Sequence, residues 1–543
     1  MIPIDAHVTI GDTLFAAARR YGANPLLAVP ANAARPYHPH GFEISFAAAA
    51  AEVRALMARY TEAGYGSGHR IGLLLDSRPE HMLHKLAMNA LGVCCVPVNP
   101  DYRAREVAYQ IDHSRVDLVV VLASRGEALR AALAESAHQP QVVVFEDFAQ
   151  RLPAPQRASD GAPVTAQTPA SILYTSGTTG RPKGCVLSHR YELAAGMAYA
   201  SCGGLATIRE GQERLYNPLP LFHVNASILS FFCMLLTGNC QVQTDRFAPS
   251  RFWAEVRESR ATIVHYLGVV IPMLLNQPAG PQDREHQVRF GFGAGVEPQL
   301  HGVFEARYGF PLLELWGMTE MVRMLVDNMP PRQVGTRAFG RAVPGVQARV
   351  VDDAGAEVPD GTVGELVIRH SAETPRQDFF SGYLDDPVAT EDAWHGGWFH
   401  TGDIVTRDAT GMLHFVDRRK NIIRRSGENI AAAEVEALLQ THPLVQQAAV
   451  MAVPDEVREE EVLACVVLKQ SAVGDAARGR VARELFDFCH ANLAYYKAPG
   501  FVWFADSIPT TGTQKIQKHA IFPKDADPRK LAGMIDLRAL KKR

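Results

Sequence analysis

What the sequence lacks narrows its reading first. No apolar run approaches the ~18 residues of a membrane-spanning helix; the longest stretch, around Val264–Leu275, stops well short. Cysteine is sparse. The eight residues Cys94, Cys95, Cys185, Cys202, Cys233, Cys240, Cys465 and Cys489 form no C-x-x-C pair, and most sit among apolar neighbours. That excludes a disulfide scaffold and predicts buried, reduced thiols. Neither sign of charge dominates: 55 Lys and Arg against 58 Asp and Glu leave a net charge of −3. The chain as a whole is therefore not built to hold a nucleic acid or another polyanion, although a local basic site stays open. The N-terminus, Met1-Ile-Pro-Ile-Asp-Ala-His7, has no basic region leading into an apolar one, so a cytoplasmic location is expected. No repeat of 20–50 residues stands out. What remains is an ordinary globular composition, 47% hydrophobic and 21% charged, over 543 residues, enough for three or four domain-sized units.

The hydrophobic periodicity alternates between helix and strand. Val53, Leu56, Met57 and Tyr60 repeat at helical spacing and predict an amphipathic helix over 45–63. Ile71–Leu75, Val93–Val98, Leu118–Leu122 and Val142–Phe145 read as strands, with helical patterns such as His81–Leu91 between them. Near-continuous apolar strands alternating with helices argue for a parallel α/β sheet. The pattern repeats after residue 170, with Ile172–Tyr174, Cys240–Gln243, Thr262–His265 and Leu312–Leu315 as strands, which predicts two doubly wound lobes. Between about 330 and 417, Gly-Pro punctuation and short strands (Ala348–Val351, Gly364–Ile368) predict a small β-rich subdomain. The last ~125 residues suffice for a small α/β domain, with a helix at Ala431–Leu439 and strands at Ala448–Val453 and Val462–Leu468. The Pro-, Ala- and Gln-rich stretch 151–169 reads as a surface connection.

One segment concentrates chemistry: Tyr174-Thr-Ser-Gly-Thr-Thr-Gly-Arg-Pro-Lys-Gly184. Its three glycines let backbone approach a ligand closely, and four hydroxyls plus Lys183 offer donors to phosphate oxygens. The spacing is not that of a Walker A loop. On composition alone, a phosphate cradle stands only slightly ahead of a flexible surface loop.

The segment resembles the signature of the adenylate-forming superfamily, which comprises acyl-CoA synthetases, peptide-synthetase adenylation domains and beetle luciferases. Six further segments resemble that family's motifs in order: Pro218-Leu-Pro-Leu-Phe-His223, Gly293-Ala-Gly-Val-Glu-Pro298, Trp316-Gly-Met-Thr-Glu320, Trp398-Phe-His-Thr-Gly-Asp403, Asp417-Arg-Arg-Lys420 with Ser426-Gly-Glu-Asn429, and Pro509-Thr-Thr-Gly-Thr-Gln-Lys515. The resemblance spans about residues 10–525.

It implies an N-terminal domain (1–417) of two β/α lobes and a β-rich subdomain that binds ATP and a carboxylic acid. A mobile C-terminal domain (418–543) would turn about a hinge at 417–420, centred on Lys420. It also implies an AMP-forming acyl-CoA ligase using ATP, Mg²⁺ and coenzyme A. Thr175, Ser176, Gly177, Thr178, Thr179 and Lys183 fall to the phosphates; Gly293, Ala294, Gly295 and Glu297 to the adenine. Trp316, Gly317 and Met318 border the nucleotide, and Thr319 is a phosphate-side donor. Glu320 falls to Mg²⁺, Asp403 and Arg418 to the ribose, and Ser426, Gly427 and Glu428 to the loop that meets CoA. Lys515 falls to the catalytic lysine; read alone it would be a surface residue, and Gln514 before it departs from the glycine of many relatives. His223 borders the acyl pocket or is a packed core histidine. Tyr266 and Trp316 are pocket walls or core aromatics. Asn225 and Arg323 stand among apolar residues of the stretches expected to line the pocket. A buried guanidinium is costly unless paired, so Arg323 either pairs within the protein or meets a polar tail of the acid. The alternatives are a stand-alone adenylation enzyme loading a carrier protein and a non-catalytic nucleotide-binding relative. The first is disfavoured because His223, Val224 and Asn225 offer no carboxylate to hold an amino group. The identity of the acid and the oligomeric state, a homodimer included, stay open.

Overall fold

The computed structural model describes residues 1–175, 182–268, 270–296, 298–352, 354–418, 422–469, 475–509, 518, 521–523 and 526–541. In the first sheet, strands Arg70–Leu74, Cys94–Pro97, Leu118–Val121 and Gln141–Val144 run parallel. Helices join them, as crossover connections between parallel strands require. Phe46–Ala63 shows how local sequence sets such a helix. The Ser45 hydroxyl accepts from the Ala48 N–H, Gly64 ends the helix in a left-handed conformation, and Val53, Leu56 and Tyr60 are buried.

The second sheet is also mostly parallel: Pro25–Val29, Cys240–Gln243, Arg214–Asn217, Ile263–Leu267, Phe290–Ala294 and Leu312–Met318, in that spatial order. Antiparallel strands Phe42–Ser45 and Met321–Val326 close its two edges. The two lobes are thus present, but the chain does not divide between them at residue 170. Pro169–Thr175 belongs to the first sheet, pairing with Cys94–Pro97 and, antiparallel, with Lys183–Ser188. Pro25–Val29, from the start of the chain, joins the second. Apolar periodicity fixes that a segment is a strand; its neighbour is chosen by tertiary packing.

Residues 338–418 form the β-rich layer, in which Ala338–Gly340, Gln347–Val351, Gly364–Arg369, Trp398–Arg407 and Leu413–Arg418 pair antiparallel. Beyond it a further sheet has its own core, including Ile423, Val435, Val450, Val466, Leu485 and Phe486 under helices Ala432–Gln440 and Asp475–Asn492. All eight cysteines are free and seven are buried. No described helix is long and apolar enough to cross a membrane.

Candidate active site

A cavity of about 960 Å³ opens at the carboxyl ends of Ile263–Leu267, Phe290–Ala294 and Leu312–Met318, where open α/β sheets place their ligands. The first sheet, the β-rich layer and the C-terminal unit supply its other walls.

The segment rich in glycine and threonine spans a hairpin. Thr175 and Lys183 face each other across it, as do Tyr174 and Gly184; Ser176, Gly177, Thr178 and Thr179 lie outside the described residues. The Lys183 ammonium lies 4.7 Å from the centroid of the Tyr383 ring. The Tyr383 hydroxyl donates to Glu320 Oε1 at 2.9 Å. Glu320 and Thr319 form the tight turn between Leu312–Met318 and Met321–Val326. That turn is clamped on both sides: the Tyr191 hydroxyl donates to the Thr319 carbonyl at 2.7 Å, and the Phe380 N–H to the Glu320 carbonyl at 2.9 Å. Thr175, Lys183, Thr319 and Glu320 all line the cavity. Among the described residues no three His, Cys, Asp or Glu side chains gather as metal ligands. A cation beside Glu320 would take most of its ligands from phosphate and water, the habit of Mg²⁺.

Gly293, Ala294 and Gly295 form the cavity rim at the end of Phe290–Ala294; Glu297 lies outside the described residues. The rim hangs on Glu314. Its carboxylate accepts from the N–H groups of Gly295 (2.9 Å) and Val296 (3.1 Å) and from the Tyr266 hydroxyl (2.8 Å). Burial pushes the Glu314 carboxyl up to about 7, against the pull of these donors. Gly295 has φ +86°, and a side chain on Gly268 would collide with the Gly295 carbonyl. Tyr266 therefore borders the cavity with its hydroxyl committed to the protein.

Asp403 lies within the strand Trp398–Arg407, opposite the backbone of Arg418. The Trp316 indole N–H donates to Asp403 Oδ2 at 2.8 Å. Trp316 thus orients the carboxylate, while Gly317 and Met318 line the cavity. Glu365 holds the approach to Asp403, accepting from the Gly402 N–H (3.0 Å) and pairing with His400 (3.0 Å).

The opposite wall carries His223, Val224 and Asn225 with Leu229, Val322 and Met324. Arg323 is absent from it. Its guanidinium donates twice to Asp378 Oδ2, at 3.0 and 2.8 Å, and reaches the Pro344 carbonyl at 3.4 Å. Of its two alternatives Arg323 takes the internal pairing, and its assignment to the substrate pocket is corrected. Strand alternation explains this: Val322 and Met324 face the cavity and Arg323 the other side. Leu325, fully buried, lies off the cavity for the same reason.

The C-terminal unit closes the site. Gly427 and Glu428 border the cavity, and Glu428 lies 3.5 Å from His223. Burial raises the Glu428 carboxyl, but His223, Lys497 and Tyr496 outweigh it and hold it below the usual carboxylate range. Ser426, at φ +53°, turns the chain and accepts from Arg458 at 3.3 Å. Lys420 and Lys515 lie outside the described residues, as does the side chain of Arg418. Lys518, three residues past Lys515, donates to the Val450 carbonyl at 2.7 Å and pairs with Glu436.

Sequence reading missed Glu314, Tyr383, Glu365, Tyr496 and Lys497. Two carried a signal. Glu314 is the lone charge in Leu312-Leu-Glu-Leu-Trp316, and Lys497 the lone charge in Leu493-Ala-Tyr-Tyr-Lys-Ala-Pro499; an isolated charge in an apolar run must be paired. Tyr383 and Glu365 carried none.

Comparison with known proteins identifies the family. Residues 16–384 match the family described as "AMP-binding enzyme" and residues 434–515 its C-terminal domain. The chain is 32% identical over 486 residues to a sulfoacetate–CoA ligase of Cupriavidus necator, covering 88% of this chain and 92% of that one. It is 30% identical over 492 residues to a crotonobetaine/carnitine–CoA ligase of Citrobacter koseri, with the same coverage. Its fold is shared with an o-succinylbenzoate CoA synthetase of Bacillus subtilis at a TM-score of 0.80 and 23% identity, over 96% of this chain and 99% of that one. The chain belongs to the AMP-binding enzyme family, among its AMP-forming acid–CoA ligases.

Proposed function

We propose that this ligase joins a short, functionalised carboxylic acid to coenzyme A in two half-reactions at the one cavity. In the first, a carboxylate oxygen attacks the α-phosphorus of ATP and the bond to pyrophosphate breaks, leaving acyl-AMP. In the second, the CoA thiol attacks the acyl carbon; its proton is lost, the bond to the AMP oxygen breaks, and acyl-CoA and AMP leave. The relatives named for sulfoacetate and for crotonobetaine and carnitine act on short polar acids, which supports the same class here.

Charge crowds at phosphorus in the first step, so fixed donors and cations carry it. Lys183, steadied by Tyr383, and the Thr175 hydroxyl face the phosphates. Glu320 would hold Mg²⁺ beside them, with Tyr383 fixing one carboxylate oxygen; when bound, the ion neutralises phosphate oxygens. Asp403, turned by Trp316, accepts from the ribose hydroxyls, with Arg418 across the strand pair. Gly293–Gly295, held by Glu314, flanks the adenine, and Lys515 bridges carboxylate and α-phosphate.

A domain boundary at 417–418 with a hinge at Lys420 lets the C-terminal unit exchange two faces. The arrangement described, with Gly427 and Glu428 on the cavity beside His223, suits the second step; a rotated one would bring Lys515 in for the first. The observation that carries the proposal is the meeting of Lys183, Glu320, Asp403, Gly427 and Glu428 around one cavity. The test is pyrophosphate release and acyl-CoA formation over a panel of short acids, with and without CoA, for the parent and Lys515→Ala. Lys515→Ala should lose acyl-AMP formation by ~10²–10⁴-fold yet convert supplied acyl-AMP to acyl-CoA. Equal loss of both steps would refute the two-face assignment, and no CoA-dependent product from any acid would refute the ligase reading.

A further inference from the structure

The wall expected to receive the acid chain is apolar at Val224, Leu229, Val322 and Met324, and Asn225 stands among them. The orientation of its amide follows from its neighbours. Asn217 Oδ1 accepts from the Leu219 N–H at 2.9 Å, so Asn217 Nδ2 is a donor. That nitrogen reaches Ser230 Oγ at 2.9 Å and one atom of the Asn225 amide at 3.1 Å, which must be the carbonyl oxygen. His265 Nδ1 lies 2.7 Å from the same oxygen, and His265 Nε2 lies 3.0 Å from the Tyr199 hydroxyl. Asn217 Nδ2 also lies 3.4 Å from His265 Nδ1, but among the described residues the buried Tyr199 hydroxyl has only Nε2 to receive its proton. Tyr199 therefore donates to Nε2, Nδ1–H donates to Asn225 Oδ1 at the shorter 2.7 Å, and the 3.4 Å approach is a contact between two donors rather than a bond. Burial pushes His265 down to about 3, so the ring stays neutral with its single proton on Nδ1.

Asn225 Oδ1 is therefore filled by two donors, and Nδ2 is left to the cavity, with no acceptor for it among the described residues. The support beneath is buried and polar, with the His265 ring also stacked on Phe292. Asn217, Ser230, Gln241 and His265 are each 0% exposed. Ser230 Oγ donates to Gln241 Oε1 at 2.8 Å, and Gln241 Nε2 donates to the Ala226 carbonyl at 3.0 Å. These bonds hold Asn225–Ser230 as a π-helical turn, a wider coil that recurs at functional sites. So many buried polar groups would be a poor way to build a generic apolar wall.

We propose that Asn225 is a specificity-determining residue: its Nδ2 donates to a hydrogen-bond-accepting oxygen on the chain of the acid, so the substrate is a short acid bearing such an oxygen rather than a plain aliphatic one. The inference rests on the ligase reading and adds the substrate class to it. A plain chain would leave the amide desolvated and unpaired, and a site built to donate a hydrogen bond rejects the analogue that cannot accept it.

The test compares kcat/KM for pentanoate and hexanoate with that for levulinate and the keto acid one carbon longer. The parent should favour the keto acids by about tenfold or more. Asn225→Leu, similar in size, should abolish that preference and spare or improve the plain acids. Asn225→Asp keeps the bonds from Asn217 and His265 but turns an acceptor to the cavity; it should disfavour the keto acids while still accepting the corresponding hydroxy acids, and it serves if the leucine variant does not fold. A parent that prefers plain acids, or an Asn225→Leu effect equal on both sets, overturns the proposal while leaving the ligase reading standing. A parent that forms no acyl-CoA from any acid overturns the ligase reading and this inference with it.

Discussion

At the scale of single residues, Glu314 shows how a side chain that touches no ligand can govern a site. Its carboxyl, raised from 4.5 to about 7 by burial, binds its proton more tightly folded than unfolded. The stability this contributes is fully present below about pH 4.5 and is lost as pH rises through about 7. The shift corresponds to about 3 kcal/mol. His265, pushed down to about 3, has the opposite sign: its contribution is present above its ordinary value of 6.5 and lost as pH falls towards 3. The two oppose each other in any whole-protein profile, so a difference measurement is needed. Glu314→Gln mimics the protonated acid, keeping an acceptor for the Gly295 and Val296 N–H groups. Its unfolding free energy, measured by denaturant titration, should lack the loss that the parent shows between pH 5 and 8; parallel profiles would mean that Glu314 ionises freely. Residues of the motifs were legible because chemistry constrains their identity locally. Their partners were not: Tyr383 lies 63 positions from Glu320, and Trp316 lies 87 from Asp403. Nothing in a linear pattern links such pairs before the strands carrying them are placed.

At the scale of elements, the turn Ser426–Gly427 makes the sharpest demand. Gly427 adopts φ +82°, and a side chain there would run into Leu267 of the second sheet. Gly427→Ala therefore meets both a strained backbone and a clash with the opposite wall. The variant should retain acyl-AMP formation, which the proposed scheme assigns to the other face of the C-terminal unit, and lose thioester formation by about tenfold or more, since 1.4 kcal/mol of misplacement suffices for that. Single-turnover reaction of supplied acyl-AMP with CoA measures it; an unchanged rate would show that the loop does not dock during thioester formation. Most elements were legible. The helix expected over 45–63 spans Phe46–Ala63, and the strand expected at Cys240–Gln243 is found there. The hairpin Leu312–Met318/Met321–Val326 was legible only in its first arm, because Met321-Val-Arg-Met-Leu325 alternates weakly and the turn Thr319-Glu320 carries no glycine or proline. Sheet membership was illegible at both ends of the first lobe, where Pro25–Val29 and Pro169–Thr175 exchange sheets.

At the scale of the whole molecule, the question is what holds the C-terminal unit in the arrangement described. Lys497, side chain 5% exposed, places its ammonium 2.6 Å from Glu106 of the N-terminal part and 3.0 Å from Glu434 of its own unit. Burial alone would lower its pKa, but the two carboxylates prevail and raise it well above the ordinary lysine value. Around this pair Asn99 donates to the Tyr496 hydroxyl at 3.1 Å, and Arg103 to the Leu493 carbonyl at 3.1 Å. Among the described residues the contact thus joins residues 99–106 to 490–497 through the buried Lys497–Glu106 ion pair, the neutral Asn99–Tyr496 bond and the charge-assisted bond of Arg103. In the rotated arrangement proposed above, Lys497 would keep Glu434 and Glu106 would gain water, leaving neither charge stranded. On the proposed exchange of two faces, the ion pair would tune the balance between arrangements without obstructing the exchange. Glu106→Gln removes the charge that crosses the boundary and keeps the shape. It should shift the population away from this arrangement by at least tenfold, about 1.4 kcal/mol. Thioester formation should slow accordingly, while pyrophosphate release in the first step holds or rises. Glu106→Asp, which keeps the charge on a shorter arm, should fall between the two. Because the pair is buried, the parent's thioester rate should respond weakly to added salt. Equal slowing of both half-reactions in Glu106→Gln would mean that the ion pair serves stability alone and does not select an arrangement.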